Sequence, residues 1–318
     1  MMKAQPNRVM YGSTLAELGE QHQDMVVLDA DLSKSTNTFQ FQEKFPDRFF
    51  QVGIAEQNMV CIAAGLATTG LLPFVNTFAT FLSMRAVEQI RTSIAYPNLN
   101  VKIVGVNAGV EIAGDGVTHQ AIEDLAIMRA IPNMVVLSPS DPITTKKATE
   151  ALATYSGPVY MRLGRQESQI IHSENVEFEV GKMIRVREGN DVTIIATGNM
   201  VEQALIAAQY LVSKGISARV LDCHTIKPID QNEIIKASKE TTGIVTAEDH
   251  NIRGGLGGAV CEVVASEAPT IVKMVGLDDR FASSGRDWME LLSHYGMDAS
   301  SIIRKSLEVV GVNEMGQA

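Results

Sequence analysis

Short apolar runs that read as buried strands alternate with helical stretches along almost the whole chain, and this alternation limits the fold more than any other feature. Val101-Lys102-Ile103-Val104-Gly105-Val106 and Val192-Thr193-Ile194-Ile195-Ala196-Thr197-Gly198 have the nearly continuous apolar character of strands covered on both faces. Further strands are predicted at Met25 to Leu28, Pro73 to Val75, Met134 to Leu137, Val159 to Arg162, Ala218 to Leu221, Gly243 to Thr246 and near Ile271 to Val275. Thr14-Leu15-Ala16-Glu17 suits a capping box opening a helix before Met25. Other helices are expected from Asn58 to Thr69, Ala79 to Ala95, Gln120 to Ala130, Pro142 to Thr154, Val201 to Lys214, Ile229 to Ser238, and after Gly258 to about Glu267. Such repetition favours an α/β fold of mostly parallel sheets flanked by helices.

A single hydrophobic core stops growing well before 318 residues, so two domains are expected. The periodicity breaks and charges accumulate from Glu167 to Asn190, which divides the chain into 1–166, a connection at 167–190, and a smaller domain at 191–318. With 45% apolar and 20% charged residues the composition is that of an ordinary soluble protein. No apolar run approaches the roughly 20 residues of a membrane helix. A net charge of -10 argues against nucleic acid, whose phosphates are neutralised by clustered Lys and Arg. Cys61, Cys223 and Cys261 lack metal-ligand spacing and read as reduced core residues. The first residues show no secretory leader, so a cytoplasmic location is expected.

Three segments carry chemical interest. Glu56, in Gly53-Ile54-Ala55-Glu56-Gln57-Asn58, stands at the start of a helix, where a surface carboxylate facing the helix dipole is the ordinary interpretation. Ile54, Met59 and the small residues that follow turn the expectation toward an interface, and a buried carboxyl there can share a proton with a ring nitrogen. Phe74, Phe78 and Phe81 are spaced as a helical core stripe, yet in a chain with 5% aromatics they also suit a platform for a flat heteroaromatic ring. The glycine-rich loop from Gly109 to His119 follows a buried strand, where ligands bind in parallel sheets, and carries Asp115 and His119. An Asp-Gly turn with a solvent-facing histidine is the plain alternative.

Other patterns fail on inspection. Gly114-Asp115-Gly116 is followed too soon by Asn133 to serve as a metal-diphosphate signature, and the 109–115 run lacks the Lys and Ser or Thr of a phosphate loop. Gly255-Leu256-Gly257-Gly258 has its third glycine out of place for a dinucleotide fingerprint and is read as a close helix-sheet contact. Glu248-Asp249-His250-Asn251 is read as loop or interface. Arg8, Ser35 and Arg165 carry no signal individually.

Taken together, Gly53-Ile54-Ala55-Glu56-Gln57, the phenylalanines and the loop ending in His119 resemble the carboxyl-terminal half of transketolase over nearly the whole chain. The resemblance is closest to the small subunit of split transketolases, and deoxyxylulose phosphate synthase is a relative. It implies a thiamine diphosphate pyrimidine-binding domain followed by a transketolase carboxyl-terminal domain. It further implies that Glu56 hydrogen-bonds the cofactor's aminopyrimidine ring, that Phe78 and Phe81 pack against that ring, and that Asp31 lies near the thiazolium. Asp115 and His119 match contacts to sugar hydroxyls, with His119 handling protons, while Arg8, Ser35 and Arg165 match the grip on a terminal phosphate. Asn107 stands where full-length transketolases place a histidine, and Ala55 and Gln57 also depart from the usual neighbours of the glutamate.

By the same resemblance no metal ligand is expected in this chain. A divalent ion, Mg, and the diphosphate are expected to bind an amino-terminal partner subunit, in a heterotetramer with two copies of each chain. The implied reaction is transfer of a two-carbon ketol unit from a ketose phosphate to an aldose phosphate, as in pentose phosphate metabolism. Rival expectations are a pyruvate-using synthase or oxo-acid dehydrogenase beta-type subunit, and a non-catalytic interaction subunit that kept the fold.

Overall fold

A computed structural model describes residues 3–312. Its strands, in chain order, are β1 (Gln5–Pro6), β2 (Met25–Asp29), β3 (Phe49–Gln51), β4 (Leu72–Phe78), β5 (Lys102–Val106), β6 (Val135–Leu137), β7 (Val159–Arg162), β8 (Glu167–Ser168), β9 (Ile184–Arg187), β10 (Val192–Ala196), β11 (Ala218–Asp222), β12 (Thr225–Lys227), β13 (Gly243–Asn251) and β14 (Ile271–Leu277). Seven of them form one sheet in the order β12-β6-β7-β5-β4-β2-β3, and five form a second in the order β14-β13-β10-β11-β9. Within each sheet all pairings are parallel except at one edge, where β12 runs antiparallel to β6 and β9 antiparallel to β11. Every residue of β2, β4, β5 and β7 is buried, as expected of strands covered by helices on both faces.

The alternation in the sequence therefore yields the predicted architecture, and the helix Pro142–Thr154 and strand Val159–Arg162 match their predicted limits. Several local expectations are corrected. The first helix begins at Asn7, so Thr14 lies inside it and its hydroxyl donates to the Met10 carbonyl rather than capping an end. The stretch expected to be one helix from Ala79 to Ala95 is broken into Ala79–Met84, Val87–Gln89 and a wider turn at Ile90–Ala95. The helix expected from Gln120 begins only at Asp124. Phe74 and Phe78 lie in β4 and Phe81 in the helix after it, so their spacing is not that of one helical face. Glu248 to Asn251 belong to β13, and Cys61 is exposed rather than in a core.

The 167–190 segment is fastened at both ends. β8 pairs with β1, β9 adds an edge to the second sheet, and between them the Ile171 and His172 amides donate to Asp141 Oδ2, each at 2.9 Å. The Gly255 to Gly258 turn is a close helix-sheet contact as expected: a Cβ on Gly257 would lie 2.8 Å from Met274 Sδ, and one on Gly255 would collide with the Glu248 carboxylate. That carboxylate accepts the Leu256 and Gly257 amides at 2.7 and 2.8 Å and so caps the helix Leu256–Glu267. Among the described residues no helix is long and apolar enough to cross a membrane.

Candidate active site

The carboxyl ends of β2, β3, β4, β5 and β7 point the same way, because the strands are parallel, and Asp31, Ser35, Glu56, Phe81, Asp115, His119 and Arg165 follow these ends, while Arg8 lies in the first helix, before β2. After β2, the buried Asp29 accepts the Leu32 amide at 2.6 Å and the Thr36 and Thr38 hydroxyls at 2.8 and 2.9 Å. These bonds fold the chain back into the short helix Ser33–Thr36 that carries Ser35. Asp31, exposed and in the left-handed region at φ 65°, donates its amide to Gln51 Oε1 at 2.6 Å. The same oxygen accepts the Gly53 amide at 3.3 Å, so Gln51 joins the Asp31 turn to the turn that leads to Glu56.

Glu56 is the first residue of the helix Glu56–Thr68 and is only 5% exposed, although its neighbour Ile54 is 75% exposed. Its Oε1 accepts Arg85 Nη1 at 2.9 Å, and among the described residues its Oε2 has no hydrogen-bond partner. Arg85 in turn lies 3.8 Å over the ring of Phe81, and its carbonyl accepts Gln57 Nε2 at 3.0 Å. Glu56, Arg85, Ile54, Ala55, Gln57 and Met84 border an open cleft of about 560 Å³. A larger cavity, about 630 Å³, runs along the exposed edge of β14 and shares none of these residues.

Phe78 ends β4 and packs on Phe81 with ring centroids 5.4 Å apart. His119 meets both rings edge-on, at 6.0 Å from Phe78 and 5.3 Å from Phe81, and its Nδ1 is 2.9 Å from the Thr118 hydroxyl. The loop that carries His119 leaves β5 through Asn107, whose φ is 58° and whose Oδ1 is buried without a partner.

Asp115, on the same loop, pairs with Arg165 Nη1 at 3.0 Å, and that nitrogen also donates to the Ile112 carbonyl. Arg8 Nη1 donates to the Ser35 carbonyl at 2.8 Å and its Nε to the Arg165 carbonyl at 3.4 Å. Three residues scattered through the sequence thus meet at one place. Arg8 has no carboxylate partner among the described residues, and partial burial, with the Arg165 charge second, pulls its guanidinium below its usual value. Two guanidiniums side by side, one unpaired, favour an anion between them.

Sequence reasoning missed Arg85, whose only signal is its place four residues after Phe81. It also missed the support behind the 109–119 loop. Asp249, on β13 of the second sheet, accepts the Val110 amide at 2.9 Å, and its carbonyl accepts Arg162 Nη2 at 2.7 Å. Arg162 also pairs through Nε with Asp124 at 3.1 Å, and Asp124 accepts the Tyr160 hydroxyl at 2.7 Å. Burial and then the Asp249 charge push the fully enclosed Glu111 carboxyl up to about 8. Among the described residues no three His, Cys, Asp or Glu side chains gather as a metal site.

Two mostly parallel α/β sheets thus carry, around the strand ends of the first, a carboxylate, an aromatic pair and paired arginines. The transketolase pyrimidine binding domain matches residues 3–169, and the transketolase C-terminal domain matches residues 181–302. A putative transketolase C-terminal section of Methanocaldococcus jannaschii is 51% identical over 94% of each chain. A 6-deoxy-6-sulfo-D-fructose transketolase subunit of Clostridium sp. is 41% identical over 95% of this chain and 94% of its own. A split gene transketolase solved as an inactive beta4 tetramer superimposes with a TM-score of 0.88 at 45% identity, covering 96% of this chain and 98% of that one. The chain belongs to the transketolase family.

Proposed function

We propose that the chain is the pyrimidine-side subunit of a thiamine diphosphate-dependent transketolase, moving a two-carbon ketol unit from a ketose phosphate to an aldose phosphate. The observation that carries this reading is one run of contacts. It leads from Glu56 through Arg85 and Phe81 to His119, and by the same loop from Asp115 to Arg165, Arg8 and Ser35. A proton-sharing group and an anion grip, joined through an aromatic pair, suit a cofactor ring at one end and a sugar's anionic terminus at the other.

The residues present fit the cofactor's pyrimidine half. Glu56 Oε2 is without a protein partner beside a cleft, and Arg85, which borders that cleft, lies over Phe81, which packs on Phe78. Glu56 would hydrogen-bond the ring, Phe78 and Phe81 would pack on it, and Asp31 would lie by the second ring. Thiamine diphosphate, when bound, supplies the nucleophilic carbon and the electron sink for carbon-carbon cleavage and transfer. Glu56 would share a proton with the ring through its free oxygen, and His119 would move protons on sugar hydroxyls. Asp115 orients those hydroxyls, and Arg8 and Arg165 fix the anionic end. That one relative is named for a sulfo sugar supports an anion grip whose sugar differs among relatives.

The same proposal places the diphosphate and its Mg on an amino-terminal partner subunit, in a cytoplasmic heterotetramer working on pentose phosphates. Domain limits of 1–166 and 191–318, joined by 167–190, belong to it as well. The beta4 tetramer of the split gene relative is inactive, as a chain holding half a site would be. The test is calorimetry of thiamine diphosphate with Mg²⁺ on this chain, alone and with the partner chain. Weak binding alone and tight binding together are expected, and tight binding by this chain alone overturns the divided site. Ketol transfer from xylulose 5-phosphate, against carbon dioxide release from pyruvate, separates transketolase from a pyruvate-using synthase.

A further inference from the structure

We propose that Arg85 is the positioning residue of Glu56: it anchors one carboxylate oxygen and so aims the other at the cofactor ring. The inference rests on the reading of Glu56 as the ring's partner. A glutamate's last torsion is broad and nearly two-fold, so burial alone does not decide where its second oxygen points. Nη1 of Arg85, 2.9 Å from Oε1, removes that freedom and leaves Oε2 as the carboxylate oxygen without a protein partner, on a residue that borders the cleft.

Arg85 is itself held. Its guanidinium carbon lies over Phe81, 3.8 Å from the ring centre, and the Arg85 carbonyl accepts Gln57 Nε2 at 3.0 Å. Gln57 follows Glu56 directly, so the turn, the carboxylate and the aromatic pair are locked to one another through one side chain. A planar guanidinium stacks on an aromatic ring while still donating in its own plane, which an ammonium does not do. The pair also differs from an ordinary surface ion pair, because Arg85 is 49% exposed but its partner only 5%.

The test is a double-substitution cycle in the complex assembled with the partner chain, read as calorimetric affinity for thiamine diphosphate with Mg²⁺. Glu56→Gln is expected to weaken binding about tenfold, as loss of a charged hydrogen bond does. Arg85→Met is expected to weaken it about fivefold, and the double variant to match Glu56→Gln within about twofold, because both remove the same contact. Arg85→Lys, which keeps the charge and disturbs packing least, should stay nearer to Arg85→Met than to the unaltered complex. Affinity unchanged in Arg85→Met, losses that multiply in the double variant, or full rescue by Lys each overturn the positioning role. Affinity and turnover both unchanged in Glu56→Gln remove the role of Glu56 and the inference with it.

Discussion

Replacing Glu111 by Gln should lift a pH-dependent burden on folding. The Glu111 side chain is enclosed where the 109–119 loop meets the second half of the molecule: a Cβ on Gly164 would run into its carboxylate, and the Gln166 amide donates to its Oε2 at 3.3 Å. Burial first, and the Asp249 charge second, raise its carboxyl from 4.5 to about 8. An acid whose folded value lies above its unfolded value binds more protons when folded. Stability therefore falls as pH rises between about 4.5 and about 8, with the full contribution present at the acidic end. One pKa unit corresponds to about 1.36 kcal/mol, so the two pH units from about 5.5 to about 7.5 remove on the order of 3 kcal/mol. Glutamine has the donor and acceptor of a protonated carboxyl in nearly the same shape but does not titrate. Urea unfolding of both proteins at pH values of about 5.5, 6.5 and 7.5 and one fixed chain concentration reads the difference. The Gln variant should gain on the unaltered chain by on the order of 3 kcal/mol across that range. A difference constant to within about 0.5 kcal/mol would refute the reasoning, since Glu111 would then be ionised throughout and balanced by Arg162.

Three further outcomes are expected. Glu56→Gln in the assembled enzyme should lower single-turnover ketol transfer by at least about 100-fold, the usual worth of a positioned proton donor or acceptor. Arg8→Ala should raise KM for a phosphorylated ketose about tenfold with little change in kcat, and leave KM for the sugar lacking phosphate unaltered, as steady-state kinetics on the two donors will show. Gly257→Ala should destabilise the chain by about 1–3 kcal/mol in thermal unfolding, because its methyl group would press on Met274 between helix and sheet.

The fold was legible because strands buried on both faces write themselves as apolar runs; β5 and β10 are as plain in the sequence as in space. What the periodicity did not carry was where helices break or begin beside the loops that follow the strands. The 79–95 stretch keeps helical spacing, yet its axis breaks after Met84, and that break leaves Arg85 beside Glu56. Of the site, Glu56 and the phenylalanines stood out through local pattern. Arg8, Ser35 and Arg165 were silent as residues, since only the resemblance joined positions that the sheet brings together from 157 residues apart. Arg85 was missed, and Asp249 was read only as loop or interface without its partner Val110, because each acts across elements. Neither an ion pair to a helix start nor a carboxylate reaching over from another sheet leaves a spacing to count.

The strand β12 lies in the second half of the sequence but hydrogen-bonds to β6 of the first sheet, with Lys227 Nζ donating to the Arg129 and Ile131 carbonyls at 3.1 and 2.5 Å. A gene cut anywhere in 167–190 would thus release a fragment whose largest sheet ends on a bare rim, inviting the wrong neighbour to zip on. Swapping the second half for that of a cousin would transplant a piece of the first half's edge as well. The second half of the chain thus finishes the hydrogen bonding of the first.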